Sequence, residues 1–214
     1  MIRAILLLSI GFTLLLSAKG YKVPQNFSQA KNIIRMIHFD YKTSWLKECP
    51  YVYDKTSCMN KMIVDKKCAG KSRVHIEWTH AIAASFYGRN YVCMREPTCK
   101  KYDGTLFAGE RCCRMTNEKY LKMEADLQNI VPLLSNHDKK PLLEMVSDSK
   151  KGDLARIYLY FNDTYGINLD MSMQMQFYKW HKMDPPDAKE CAIYKQIKKI
   201  QHNENRWLEE GCAN

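Results

Sequence analysis

Nine cysteines follow a leader that reads as an export signal, and together they limit what this chain can fold into. The leader, "MIRAILLLSIGFTLLLSAKG", has an early basic residue, Arg3, an apolar run from about Ala4 to Leu16, and small residues after it. That is the form of a removable signal, residues 1–20, with cleavage before Tyr21 or after Ala18. An uncleaved N-terminal anchor is the alternative, but the run falls short of the roughly 20 residues a spanning helix needs. No later stretch comes close, so no membrane is expected. An exported chain can keep disulfides. Cys49, Cys58, Cys68, Cys93, Cys99, Cys112, Cys113, Cys191 and Cys212 are an odd set, so at least one is left over or pairs with another chain. Their spacing contains no Cys-x-x-Cys pair, which argues against structural zinc.

The remaining residues, 21–214, suit one domain large enough to bury a core. The full chain carries 33 basic and 23 acidic residues, a net charge of +10. Loss of Arg3 and Lys19 with the leader still leaves +8. Such an excess fits a polyanionic partner, whether nucleic acid, acidic glycan or lipid headgroup, and does not choose among them.

Periodicity predicts a mixed, mostly helical fold. Phe27, Ala30, Ile33, Ile34 and Ile37 have helical spacing. Residues 49–71 read as a disulfide-tied connector. In "SRVHIEW", Val74, Ile76 and Trp78 alternate with Arg73, His75 and Glu77, the pattern of a half-buried strand. Residues 93–114 read as a loop or hairpin. Tyr120, Met123, Leu127 and Ile130 resume helical spacing, with Pro132 ending or kinking that helix. Residues 135–153 read as a linker with one apolar patch. Three helical segments close the chain, the first from Asp153 as N-cap to Gly166, the second stopping at Pro185–Pro186, the third carrying Cys191, Tyr194 and Ile197.

Among six histidines, His80 stands out because it ends a strand just ahead of a cysteine-rich segment. The run "IEWTHAIAASFYGRNYVC" resembles the Ile-Glu-Trp-Glu-His…Phe-Gly…Cys segment of the bacterial endonuclease I family. "GERCCRMTNEKYLKMEADLQNIVP" is similar to its Met-Glu-x-Asp-Leu-x-Asn-Leu-x-Pro signature. "KGDLARIYLYFNDTYGINLD" and "IKKIQHNENRW" resemble its Ala-Arg helix and its closing Gln-Gly-Asn-x-Asn segment. The matching pieces run in order from about Phe27 to Cys212.

The resemblance implies an α+β, mostly helical single domain built around a ββα-metal finger. It implies a monomeric, periplasmic or secreted endonuclease that uses magnesium or another divalent cation. Such an enzyme cuts DNA, and RNA as well, with little sequence preference. By this resemblance His80 is the general base and Asn129 a metal ligand. Arg111 is the closest match to a phosphate-contacting arginine, with Arg114 and Arg95 as substitutes. The residue types suit the chemistry. A neutral imidazole accepts a proton from water near neutral pH, magnesium takes oxygen ligands and keeps waters, and an arginine fork fits phosphate oxygens.

Thr79 departs from the pattern, since the family has a metal-binding glutamate there. Three consequences are open: a weaker site held by Asn129, phosphate and water; recruitment of Glu77; or a nucleic-acid-binding homologue that no longer cuts. The segment after Pro132 and the proline expected near Ala83–Ala84 also depart. Glu124 and Asp126 have a plainer reading as solvated or cap-paired charges.

Overall fold

The computed structural model describes residues 23–53, 62–70, 74–138 and 140–213. The expected signal, Cys58 and Arg73 lie outside the described residues. The fold is α+β and helix-rich, as the sequence leads one to expect. Helix α1 (Phe27–Ile37) starts where the Asn26 carboxamide accepts from the Gln29 N–H, and it buries Ala30, Ile34 and Ile37 at helical spacing. The expected connector at 49–71 holds more than a tie. Cys49–Cys68 closes it, and within it β1 (Tyr51–Tyr53) pairs antiparallel with β2 (Met62–Val64), followed by one turn, α2 (Lys66–Ala69).

Next come β3 (Ile76–His80), two short helices, α3 (Ala84–Tyr87) and α4 (Val92–Arg95), and a ribbon of β4 (Cys99–Lys100) with β5 (Leu106–Phe107). The hairpin expected at 93–114 is therefore present, but its last residues already belong to α5 (Glu110–Thr116). Nested disulfides Cys93–Cys113 and Cys99–Cys112 tie α4 and the ribbon, respectively, to that helix. After α6 (Glu118–Ala125) the chain makes a single 3-10 turn, Leu127–Asn129, and enters β6 (Ile130–Leu134).

That strand corrects the expected helix through Ile130 and Pro132. All five β6 residues are buried, because alternate side chains enter two different cores: Val131 and Leu133 one, Ile130 and Leu134 the other. A strand covered on both faces shows no polar alternation, so its run cannot be told from a helix by period. Pro132 is tolerated because β6 pairs only with β3, leaving an edge for a residue without an N–H.

The remainder is helical: α7 (Leu142–Met145) within the expected linker, α8 (Lys151–Tyr165), α9 (Met171–Met183), α10 (Ala188–Gln201) and α11 (Arg206–Cys212). Asp153 is not the N-cap of α8. It sits in the first turn, bonded to Lys150 and Arg156. Gly166 ends α8 with φ 62°, a left-handed value that favours glycine. Asp170 and Asp187 cap α9 and α10, and Cys191–Cys212 joins α10 to α11. The four disulfides use eight of the nine cysteines, all but Cys58.

Candidate active site

The β3–β6 ladder brings the two halves of the expected constellation together. His80 stands opposite Ile130 and Thr79 opposite Val131, and the Ala81 N–H donates to the Asn129 carbonyl at 2.7 Å. Positions 80 and 129 thus share one end of the ladder.

His80 is held on three sides. Its Nε2 lies 2.8 Å from the backbone carbonyl of Glu124, at the end of α6. A carbonyl only accepts, so Nε2 carries the hydrogen and Nδ1 keeps the lone pair. The Phe27 ring stacks on the imidazole at 4.2 Å, and Tyr87 meets it edge-on at 6.1 Å. Burial is the main cause of a pKa lowered below 6.5, with Arg114 adding to the shift. The ring is therefore neutral at pH 7 and ready to accept a proton.

A cleft of about 430 Å³ opens beside it, lined by Phe27, Thr79, His80, Glu110, Arg114 and Lys140 among others. Glu77 also lines it, on the same face of β3 as Thr79. Charge in the cleft is mixed, acids and bases together.

Of the three arginines, Arg114 is the one in the cleft wall. Its Nε bonds Glu124 Oε1 at 2.7 Å and its Nη2 bonds Glu110 at 3.0 Å, an arrangement that holds its pKa above the ordinary value. Arg111, the expected phosphate contact, is on an exposed side of α5 with its guanidinium 5.4 Å from the Phe107 ring. Arg95 is exposed at the end of α4, and neither lines the cleft. Their partners separate them: Glu124 and Glu110 hold Arg114 at the cleft, while Arg111 stands over the Phe107 ring.

Asn129 is fully buried, and its carboxamide is engaged on both sides by one backbone unit. Oδ1 accepts from the Ile82 N–H at 2.7 Å, and Nδ2 donates to the Ile82 carbonyl at 3.3 Å. That is the placement of a brace across the strand end rather than of an open ligand. Among the described residues no group of three His, Cys, Asp or Glu is arranged to hold a metal ion. The hard oxygen donors that do line the cleft on β3 are the Glu77 carboxylate and the Thr79 hydroxyl. Two such donors suit magnesium, which commonly takes one or two protein oxygens, phosphate and water.

Glu124 is the residue that residue-by-residue reading undervalued. Its backbone orients His80 and its buried carboxylate holds Arg114, so one residue couples base and cation. Asp126 is fully buried and accepts from Tyr160, Tyr165, Gln201 and the Gln128 N–H. Gln128 is a local partner through the cap of the following turn, and only the tertiary fold supplies the other three. A separate cavity of about 90 Å³ shares no wall residue with the cleft, and within its wall Arg156 pairs with Asp153 and Glu190.

Comparison with known proteins gives a consistent picture. A family model described as Endonuclease I matches residues 145–212. A periplasmic deoxyribonuclease of Aeromonas hydrophila is 25% identical, covering 96% of this chain and 95% of that protein. An extracellular deoxyribonuclease of the same organism is also 25% identical, covering 88% and 91%. Endonuclease-1 of Buchnera aphidicola subsp. Acyrthosiphon pisum is 27% identical, covering 89% and 83%.

Proposed function

We propose, for a chain that belongs to the bacterial endonuclease I family, that it is an exported nuclease hydrolysing phosphodiester bonds of DNA, with His80 as the general base. The observation that carries this reading is the bond from His80 Nε2 to the Glu124 carbonyl, beside an open cleft. It leaves Nδ1 to take a proton from water. The water oxygen attacks phosphorus, the bond to the leaving oxygen breaks, and that oxygen acquires a proton. General-base assistance of this kind is worth about 10²–10⁴ in rate. Arg114 keeps N–H donors beyond those given to Glu110 and Glu124, and these suit a phosphate oxygen. Magnesium, where used, would be held by Glu77 and Thr79 and would neutralise charge developing on the leaving oxygen. Export agrees with the four disulfides and with the periplasmic and extracellular relatives.

Thr79, which removes a charge from the metal side, favours a second reading: a homologue that binds nucleic acid without cutting it. Purified protein incubated with plasmid across a magnesium series, beside His80→Ala, separates the two. Cutting by wild type that His80→Ala abolishes supports the nuclease. Cutting that survives the substitution removes His80 as the base. No cutting at any magnesium concentration favours the second reading, and gain of cutting by Thr79→Glu would identify its cause.

A further inference from the structure

The cleft does not end at Thr79. Glu77 and Thr79 also line a second depression, of about 550 Å³, that runs between β3 and helix α1. Its helix wall is Ser28, Lys31, Asn32 and Arg35. These positions, three and four apart, form one polar stripe, while Ala30, Ile34 and Ile37 carry the buried stripe of the same helix.

Phe27 links the stripe to the base. One ring contact stacks it on His80 at 4.2 Å, and the Lys31 ammonium stands 4.7 Å from the same ring. The lysine is thereby fixed a single aromatic ring away from the imidazole. Among the described residues no carboxylate pairs with Lys31, whose partner is the Phe27 ring. Across the groove, Glu77 and His75 stand 3.9 Å apart on the strand side. Charge complementarity therefore directs an anionic group to the helix wall and not to the strand.

We propose that the Ser28–Lys31–Asn32 face of α1 is a subsite for the phosphodiester group adjacent to the one being cut. A polymer seated at His80 must continue out of the cleft, and this groove is continuous with it. Lys31 supplies the charge, and Ser28 and Asn32 supply neutral donors that fit backbone oxygens of any sequence. The assignment rests on the nuclease reading of His80.

The test measures binding and cutting separately. A fluorescent DNA duplex is titrated with wild type, Lys31→Met and Asn32→Ala in buffer without divalent cations, over a salt series. Lys179→Met, on α9 away from the groove, is the control. Loss of one phosphate contact lowers the magnitude of the slope of log K against log salt by about 0.9. The expected result is that change for Lys31→Met, weaker binding for Asn32→Ala, and a wild-type slope for Lys179→Met. An unchanged slope for Lys31→Met, in a protein that cuts plasmid at the wild-type rate, overturns the subsite and leaves the nuclease standing. A wild type that binds but never cuts removes the nuclease reading, and the slopes still report whether α1 contacts phosphate.

Discussion

Asn129 offers the sharpest trial of the site, because its two possible roles demand opposite outcomes. Its carboxamide satisfies both the N–H and the carbonyl of Ile82, a residue with no exposed surface. Asn129→Ala leaves both groups buried and unpaired. Each such loss costs about 1–3 kcal/mol, and the bond to the carbonyl, at 3.3 Å, belongs at the lower end. A total of about 2–4 kcal/mol follows. For a chain of this size each kcal/mol moves Tm by about 2–4 °C, so a drop of about 5–15 °C is expected. Asn129→Asp keeps an acceptor for the Ile82 N–H but sets a carboxylate oxygen against the Ile82 carbonyl, in a place where charge is costly. It should be at least as destabilised as the alanine variant. An open metal ligand would behave otherwise, since a carboxylate is the better magnesium donor. Thermal unfolding with disulfides intact, beside a magnesium titration of plasmid cutting, decides between them. Asn129→Asp with wild-type Tm and cutting at lower magnesium would refute the brace.

The other predictions concern the base, the cation and the packing beneath them. Phe27→Ala lets water reach His80 and relieves the burial that lowers its pKa, so the acid limb of kcat/KM moves upward toward 6.5; an unmoved limb means that Phe27 does not shield the ring. Activity is lost as pH falls through the folded pKa, because the protonated imidazole cannot accept. Arg114→Gln lowers kcat/KM by at least tenfold, whereas Arg111→Gln leaves it within about twofold, as measured on one plasmid substrate; equal losses would return Arg111 to the site. At Gly152 an added Cβ would lie 1.9 Å from the Asp184 backbone oxygen. Gly152→Ala should therefore cost about 1–3 kcal/mol in unfolding measurements, with cutting retained at low temperature.

The local record of the chain was readable where one rule acts alone. Helices α1 and α10 follow from an apolar stripe and an Asn or Asp cap, and β3 from strict alternation of Val74, Ile76 and Trp78 against polar neighbours. Reading failed where burial is two-sided. Ile130–Leu134 faces two cores at once, so it has no polar period to betray a strand, and its proline sits on the edge away from β3, where its carbonyl accepts from the Trp45 N–H.

Sequence alone therefore determined the helix-rich α+β class and the cysteine-laden export character, and it singled out His80 at the end of β3. It could not determine how the functional groups are shared out, because hydrogen-bond partners far apart in the chain meet only in the fold. Glu124 divides its backbone and side chain between His80 and Arg114, and Asn129 turns inward to Ile82, 47 positions away. Which arginine enters the cleft was likewise settled by a tertiary partner, the buried Glu124 carboxylate of α6 that holds Arg114, and no residue type announces that pairing.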